Sequence, residues 1–168
     1  ASNPFHDACP QAVADAMQAF AKRTGRSYRA FEYHGHKDAE RVVVIMGSAA
    51  ETVRAAVDHL VAQGERVGVL QVRLYRPFRG DWLAAALPTS TTRIAVLDRT
   101  KEPGAPAEPL CLDVIAALRD REQVTQIVGG RYGLSGKEFT PAMTIGVFAE
   151  LATATPRHGF TVGIVDDV

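Results

Sequence analysis

What this 168-residue sequence lacks narrows its chemistry first. Neither sign of charge is in excess, with 19 Lys plus Arg against 19 Asp plus Glu, so there is no net field to hold a nucleic-acid backbone or an anionic membrane surface. Only two cysteines occur, Cys9 and Cys111, far apart and with no His or Cys at metal-ligand spacing, so two reduced thiols are expected rather than a disulfide or metal site. No apolar run approaches the ~18 residues of a membrane span, and the first residues do not resemble a signal peptide. A cytoplasmic location is therefore expected. Neither Gly-x-Gly-x-x-Gly nor a phosphate-loop Gly-Lys-Ser/Thr pattern is present, and no Ser sits on a Gly-x-Ser-x-Gly elbow. Neither cysteine has an adjacent His, so no self-sufficient catalytic set is evident.

With 46% hydrophobic residues, the chain is long enough for one well-filled core. The expectation is one α/β domain over 1–168, excised from something larger: a helical segment at 1–26, a core at 27–155 and an exit strand at 156–168. Residues Pro10 to Arg23 place Val13, Met17, Phe20 and Ala21 at helical spacing, with Lys22, Arg23 and then Gly25 at the end. Ser27 to His34 alternates with period two, which predicts an edge strand. The continuous apolar run Val42 to Met46 predicts a strand buried on both faces, and Ser48-Ala-Ala-Glu51 after it matches a capping box for a helix to about Gln63. Val67 to Val72 predicts a strand, Asp81 to Leu87 a short helix, Ile94 to Leu97 a strand and Pro109 onward a helix with Leu110, Leu112, Val114, Ile115 and Leu118 inward. Val124 to Val128 predicts a further strand. Thr140-Pro141 then starts a helix with Met143, Val147, Phe148 and Leu151 inward. This alternation predicts an α/β three-layer sandwich on a mostly parallel sheet.

In such a sheet the unusual residues collect at one edge, because Gly47-Ser48, Arg73 to Phe78, Asp98 to Pro106 and Gly129 to Tyr132 each follow a strand's carboxyl end. The segment from Asp98 to Pro109 is stiffened by prolines at 103, 106 and 109, which suits the display of side chains at fixed positions. Gly47-Ser48 could bind phosphate, but a helix cap explains it. Gly129 to Gly133 is glycine-rich without dinucleotide spacing, and a turn explains it. His34 and His36 lack a third ligand for a metal. Arg73, Arg76 and Arg79 interleave with aromatics and are expected to pair with Asp98, Glu102 and Glu108 or with a neighbouring domain. The candidate docking or anion-contact residues are Arg73, Arg76, Asp98, Arg99, Lys101, Glu102 and Arg131. No catalytic, cofactor-binding or metal residue is assigned.

Four strings go further: Arg73-Leu-Tyr-Arg-Pro-Phe78, the whole of Ile94 to Leu110, Ile127-Val-Gly-Gly-Arg-Tyr-Gly-Leu-Ser-Gly-Lys-Glu-Phe-Thr-Pro-Ala142, and Phe160-Thr-Val-Gly-Ile-Val-Asp-Asp167. In order and over nearly the whole chain, they closely resemble pyruvate:ferredoxin (or flavodoxin) oxidoreductase, and within it the second domain, similar to the C-terminal domain of transketolase. The resemblance implies a five-stranded sheet with one antiparallel edge strand near Tyr28 to Tyr33, and an exit from Phe160 towards the next domain. It implies a parent enzyme that oxidatively decarboxylates pyruvate with coenzyme A to acetyl-CoA and CO2. That parent would use thiamine diphosphate, Mg2+ and iron–sulfur clusters, held in other domains, and pass electrons to ferredoxin or flavodoxin. For this piece the expectation is an inactive contact domain against other domains and the second subunit of a homodimer, with no cofactor, nucleic acid or membrane of its own. The alternatives are an anion- or coenzyme A-contacting domain, or the equivalent domain of another 2-oxoacid:ferredoxin oxidoreductase.

Overall fold

In a computed structural model, which describes residues 2–164, the helix α1 (Asn3–Thr24) precedes an alternation of strands and helices. The order is β1 (Phe31–Gly35), β2 (Arg41–Met46), α2 (Ala49–Ala62), β3 (Val67–Val72), α3 (Gly80–Ala86), β4 (Arg93–Asp98), α4 (Pro109–Leu118), β5 (Gln126–Arg131), a short 3-10 turn at Leu134–Gly136, α5 (Pro141–Ala152) and β6 (Phe160–Thr161). Among the described residues the sheet has six strands in the order β1-β3-β2-β4-β5-β6. All neighbouring pairs are parallel except β1, which runs antiparallel to β3 at the edge. Five full strands match the expected sheet, and the exit segment adds a sixth of two residues. The rest of that segment, 165–168 with Asp166-Asp167, lies outside the described residues.

Strand pleating sends alternate side chains to opposite faces, which divides the core in two. Val42, Val44, Leu70, Ile94 and Val96 pack on the side of α3 and α4, whose Leu83, Leu110 and Val114 meet them. Val43, Ile45, Val69, Ala95 and Leu97 pack on the side of α2 and α5 against Val53, Val57, Phe148 and Leu151. Each fully buried Val, Leu or Ile side chain contributes about 1.5–3 kcal/mol, so these two layers dominate what holds the sandwich together.

Several local expectations are corrected. The first helix runs from Asn3 through Pro10 to Thr24 and buries only Pro10; Val13, Met17 and Ala21 are half-buried and Phe20 is exposed. The edge strand begins at Phe31 rather than Ser27. Ser48 makes no side-chain cap, because its own backbone is already helical and its oxygen is not aimed at the following N–H groups. Thr140 does cap α5, accepting from the Met143 N–H at 3.3 Å. On α4, Leu112 and Ile115 stay 39% and 38% exposed rather than inward. Strand β5 runs on through Gly129, Gly130 and Arg131, so this glycine pair is not a turn. Its glycines make room instead: a side chain on Gly130 would lie 2.4 Å from the Phe160 ring, and one on Gly129 would lie 3.0 Å from the Cys111 sulfur.

Candidate docking face

The parallel register of β3, β2, β4 and β5 brings their carboxyl ends to one edge, and the expected residues lie there. Their roles differ from one to the next. Asp98, the last residue of β4, is 1% exposed, and its carboxylate turns inward onto the start of α4. It accepts from the N–H of Leu110 at 3.1 Å and of Cys111 at 3.2 Å, two donors that a helix start leaves without intrahelical partners. Burial pushes the Asp98 carboxyl above its usual range, and these two N–H groups only partly offset it. Asp98 is therefore a remote cap on α4, and it pairs with no arginine. Burial likewise pushes the Cys111 thiol up to about 12, helped by the charges of Asp98 and Glu108, so it is a poor source of thiolate.

The rest of the loop between β4 and α4 is fastened from beneath. Glu108 is buried, with one carboxylate oxygen bound by the Arg131 guanidinium and the other accepting the Glu102 N–H at 2.7 Å. Arg131 also donates to the Gly159 carbonyl at 3.0 Å, which ties the loop to the segment before β6. His158 makes a second tie, accepting the Gly129 N–H on Nδ1 at 3.1 Å and donating from Nε2 to the Pro106 carbonyl at 3.1 Å. An N–H only donates and a carbonyl only accepts, so these partners specify the neutral Nε2–H tautomer. Arg99 reaches the Gly133 carbonyl at 3.3 Å and remains exposed, as do Lys101 and Glu102. The loop thus presents Arg99, Lys101 and Glu102 outward on a frame held by Asp98, Glu108, Arg131 and His158.

The arginines after β3 find local partners instead of Asp98 and Glu102. Arg73 binds Glu32 of β1 at 2.9 Å and lies 4.7 Å from the centre of the Tyr28 ring. Glu32 also takes Arg54 of α2 at 2.9 Å. Arg76, preceding a cis Arg76–Pro77 bond, pairs with Asp113 of α4 at 2.7 Å and stacks 3.8 Å over Tyr75. Partial burial works against its charge, but the Asp113 carboxylate holds the Arg76 pKa above the ordinary value. Arg79 pairs with Asp81 and covers the Trp82 ring. Glu108, expected to pair with one of these three arginines, is held by Arg131 instead. Glu32, Asp113 and His158 were not singled out in the sequence, because each partner lies 20 or more residues away and only the fold brings them together. His34 bonds Asp58 at 2.5 Å, whereas His36 accepts the Asp38 N–H within its own turn.

Among the described residues no three His, Cys, Asp or Glu side chains converge as a metal site, and no helix is long and apolar enough to cross a membrane. An iron–sulfur cluster needs four thiolates or their equivalents, and this chain offers two free cysteines, one on α1 and one buried on α4, so its residues do not fit such a group.

Comparison with known proteins adds to this geometry. Residues 39–143 match the family described as pyruvate:ferredoxin oxidoreductase core domain II. The chain is 56% identical to a pyruvate-flavodoxin oxidoreductase of Trichormus variabilis, over 99% of this chain and 14% of that protein. It is 51% identical to a pyruvate:ferredoxin oxidoreductase of Moorella thermoacetica, over all of this chain and 14% of that one. Among solved structures, the 2-oxoglutarate:ferredoxin oxidoreductase from Magnetococcus marinus, with 2-oxoglutarate, coenzyme A and succinyl-CoA bound, superposes with a TM-score of 0.51 at 20% identity. That match covers 73% of this chain and 20% of the other, and it bears on the fold alone.

Proposed function

Because the chain belongs to the pyruvate:ferredoxin oxidoreductase family, as its core domain II, we propose that it works by contact rather than by chemistry within a larger 2-oxoacid oxidoreductase. The observation that carries this reading is the loop from Arg99 to Glu108, clamped internally by Asp98, Glu108, Arg131 and His158 while Arg99, Lys101 and Glu102 face outward. A charged loop that loses little freedom on docking forms a specific contact at low entropic cost. The chain spans about 14% of the length of the first relatives it matches.

In this reading the parent oxidises pyruvate with coenzyme A and delivers electrons to flavodoxin or ferredoxin, from a cytoplasmic location. Thiamine diphosphate, Mg2+ and the iron–sulfur clusters sit in its other domains. The docking face meets those domains and the second subunit of a homodimer. The test is pyruvate-dependent reduction of a viologen dye by the 168-residue chain supplied with thiamine diphosphate, Mg2+ and coenzyme A. No turnover is expected, and measurable turnover overturns the proposal. A thermal-shift series with coenzyme A and inorganic phosphate accompanies it. Stabilisation by either that disappears in Arg99→Ala would reassign this edge to ligand binding.

A further inference from the structure

The largest group of cations without carboxylate partners lies away from the sheet edge. Lys22, Arg23, Arg26 and Arg29 fall within eight residues at the end of α1 and just beyond it, and all four are exposed. Among the described residues none of them forms an ion pair, whereas Arg73, Arg76, Arg79 and Arg131 each have a carboxylate. The helix dipole accounts for Lys22 and Arg23 in the last turn, but it does not reach Arg26 and Arg29 past the left-handed Gly25. At the Arg29 end of this cluster a groove of ≈ 590 Å³ opens between α1 and α3. Met17, Ala21, Tyr28 and Trp82 form its apolar walls and Arg29 borders it, while Asp15, bonded to Gln11 at 2.8 Å, is the one acid among its lining residues. Helix α1 buries only Pro10 and leaves Phe20 39% exposed, so its apolar stripe is only partly covered by its own domain.

We propose that this groove docks a protein segment carrying acidic residues around an apolar or aromatic anchor: the anchor enters between α1 and α3, and the acids meet Lys22, Arg23, Arg26 and Arg29. Charge complementarity selects the occupant, and the apolar walls distinguish it from a simple polyanion. Nucleic acid is disfavoured by the chain's balance of 19 basic against 19 acidic residues and by Tyr28, half-buried with one face occupied by Arg73. The inference rests on α1 and is independent of the reading given to the loop after β4.

Fluorescence anisotropy of the chain with a short labelled peptide that intersperses glutamates with leucine and tryptophan tests it. Comparison probes are an all-glutamate peptide of the same length and a single-stranded DNA. The mixed peptide is expected to bind more tightly than either, and to weaken as salt is raised. The double variants K22E/R23E and R26E/R29E are each expected to weaken it about tenfold, while Lys137→Glu, a single charge reversal on the turn before α5, leaves it unchanged. Met17→Glu is expected to weaken it through the groove wall, with circular dichroism showing the fold retained. Absence of binding, equal binding of DNA or the all-glutamate peptide, or full affinity in both charge-reversed variants overturns the proposal.

Discussion

Asp98 carries the sharpest consequence at the scale of a single residue. A buried carboxylate with two backbone donors at a helix start is a structural element, and its removal strands two N–H groups away from water. Asp98→Ala is expected to lower unfolding free energy by about 2 kcal/mol in urea titration, with Asp98→Asn costing less because one acceptor oxygen is kept. Arg99→Ala and Lys101→Ala, on the exposed side of the same loop, are expected to stay within about 0.5 kcal/mol of the parent chain. An Asp98→Ala chain with an unchanged midpoint would refute the remote cap. The sequence already held the signal for this placement. Ile94, Val96 and Asp98 alternate onto one face of β4, the face that α4 covers, so the carboxylate at the end of an apolar run was bound to point inward with them. Its helix N–H partners were not legible, because they depend on how the 99–108 loop returns over the sheet.

Among the elements, the alternation of strands and helices was readable because uninterrupted valine and isoleucine runs have few other places to go than a two-sided parallel sheet. Boundaries were less readable wherever a distant side chain decided them. Strand β5 absorbs two glycines because Phe160 and Cys111 fill the space beside them, which local pattern at Val124 to Gly133 does not disclose. The edge strand β1 is fastened to its neighbours by Glu32, held between Arg73 beyond β3 and Arg54 of α2. Burial alone would raise the Glu32 carboxyl, but hydrogen bonds and charge from the two arginines outweigh it and hold the pKa below its ordinary 4.5. Since the folded value lies below the unfolded one, the stabilisation is fully present above the unfolded value. It is lost as pH falls from about 4.5 through the depressed folded value. Chemical denaturation at a series of acidic pH values is expected to show a decline in stability over that window, shallower in Glu32→Gln. Identical pH profiles for the two chains would remove Glu32 from this role.

For the whole molecule, what the sequence disclosed best was kinship, since long strings from Arg73 to Asp167 resemble one family and the match to core domain II covers 39–143. The division of labour among its arginines was far less legible. Arg73, Arg76 and Arg131, which look alike in the sequence as cations at strand ends, are each held by an acid of this chain, and Arg99 and Lys101 are left to face outward. An account in which this face makes contacts within a larger oxidoreductase therefore places its weight on those two side chains. Sedimentation velocity of the full-length enzyme carrying R99E and K101E tests it most directly, with KM for pyruvate and coenzyme A measured on the same preparation. The account predicts that subunits separate at concentrations where the unaltered enzyme stays assembled, while both KM values of the assembled fraction are unchanged; an intact assembly would contradict it, most clearly if the KM for coenzyme A had risen.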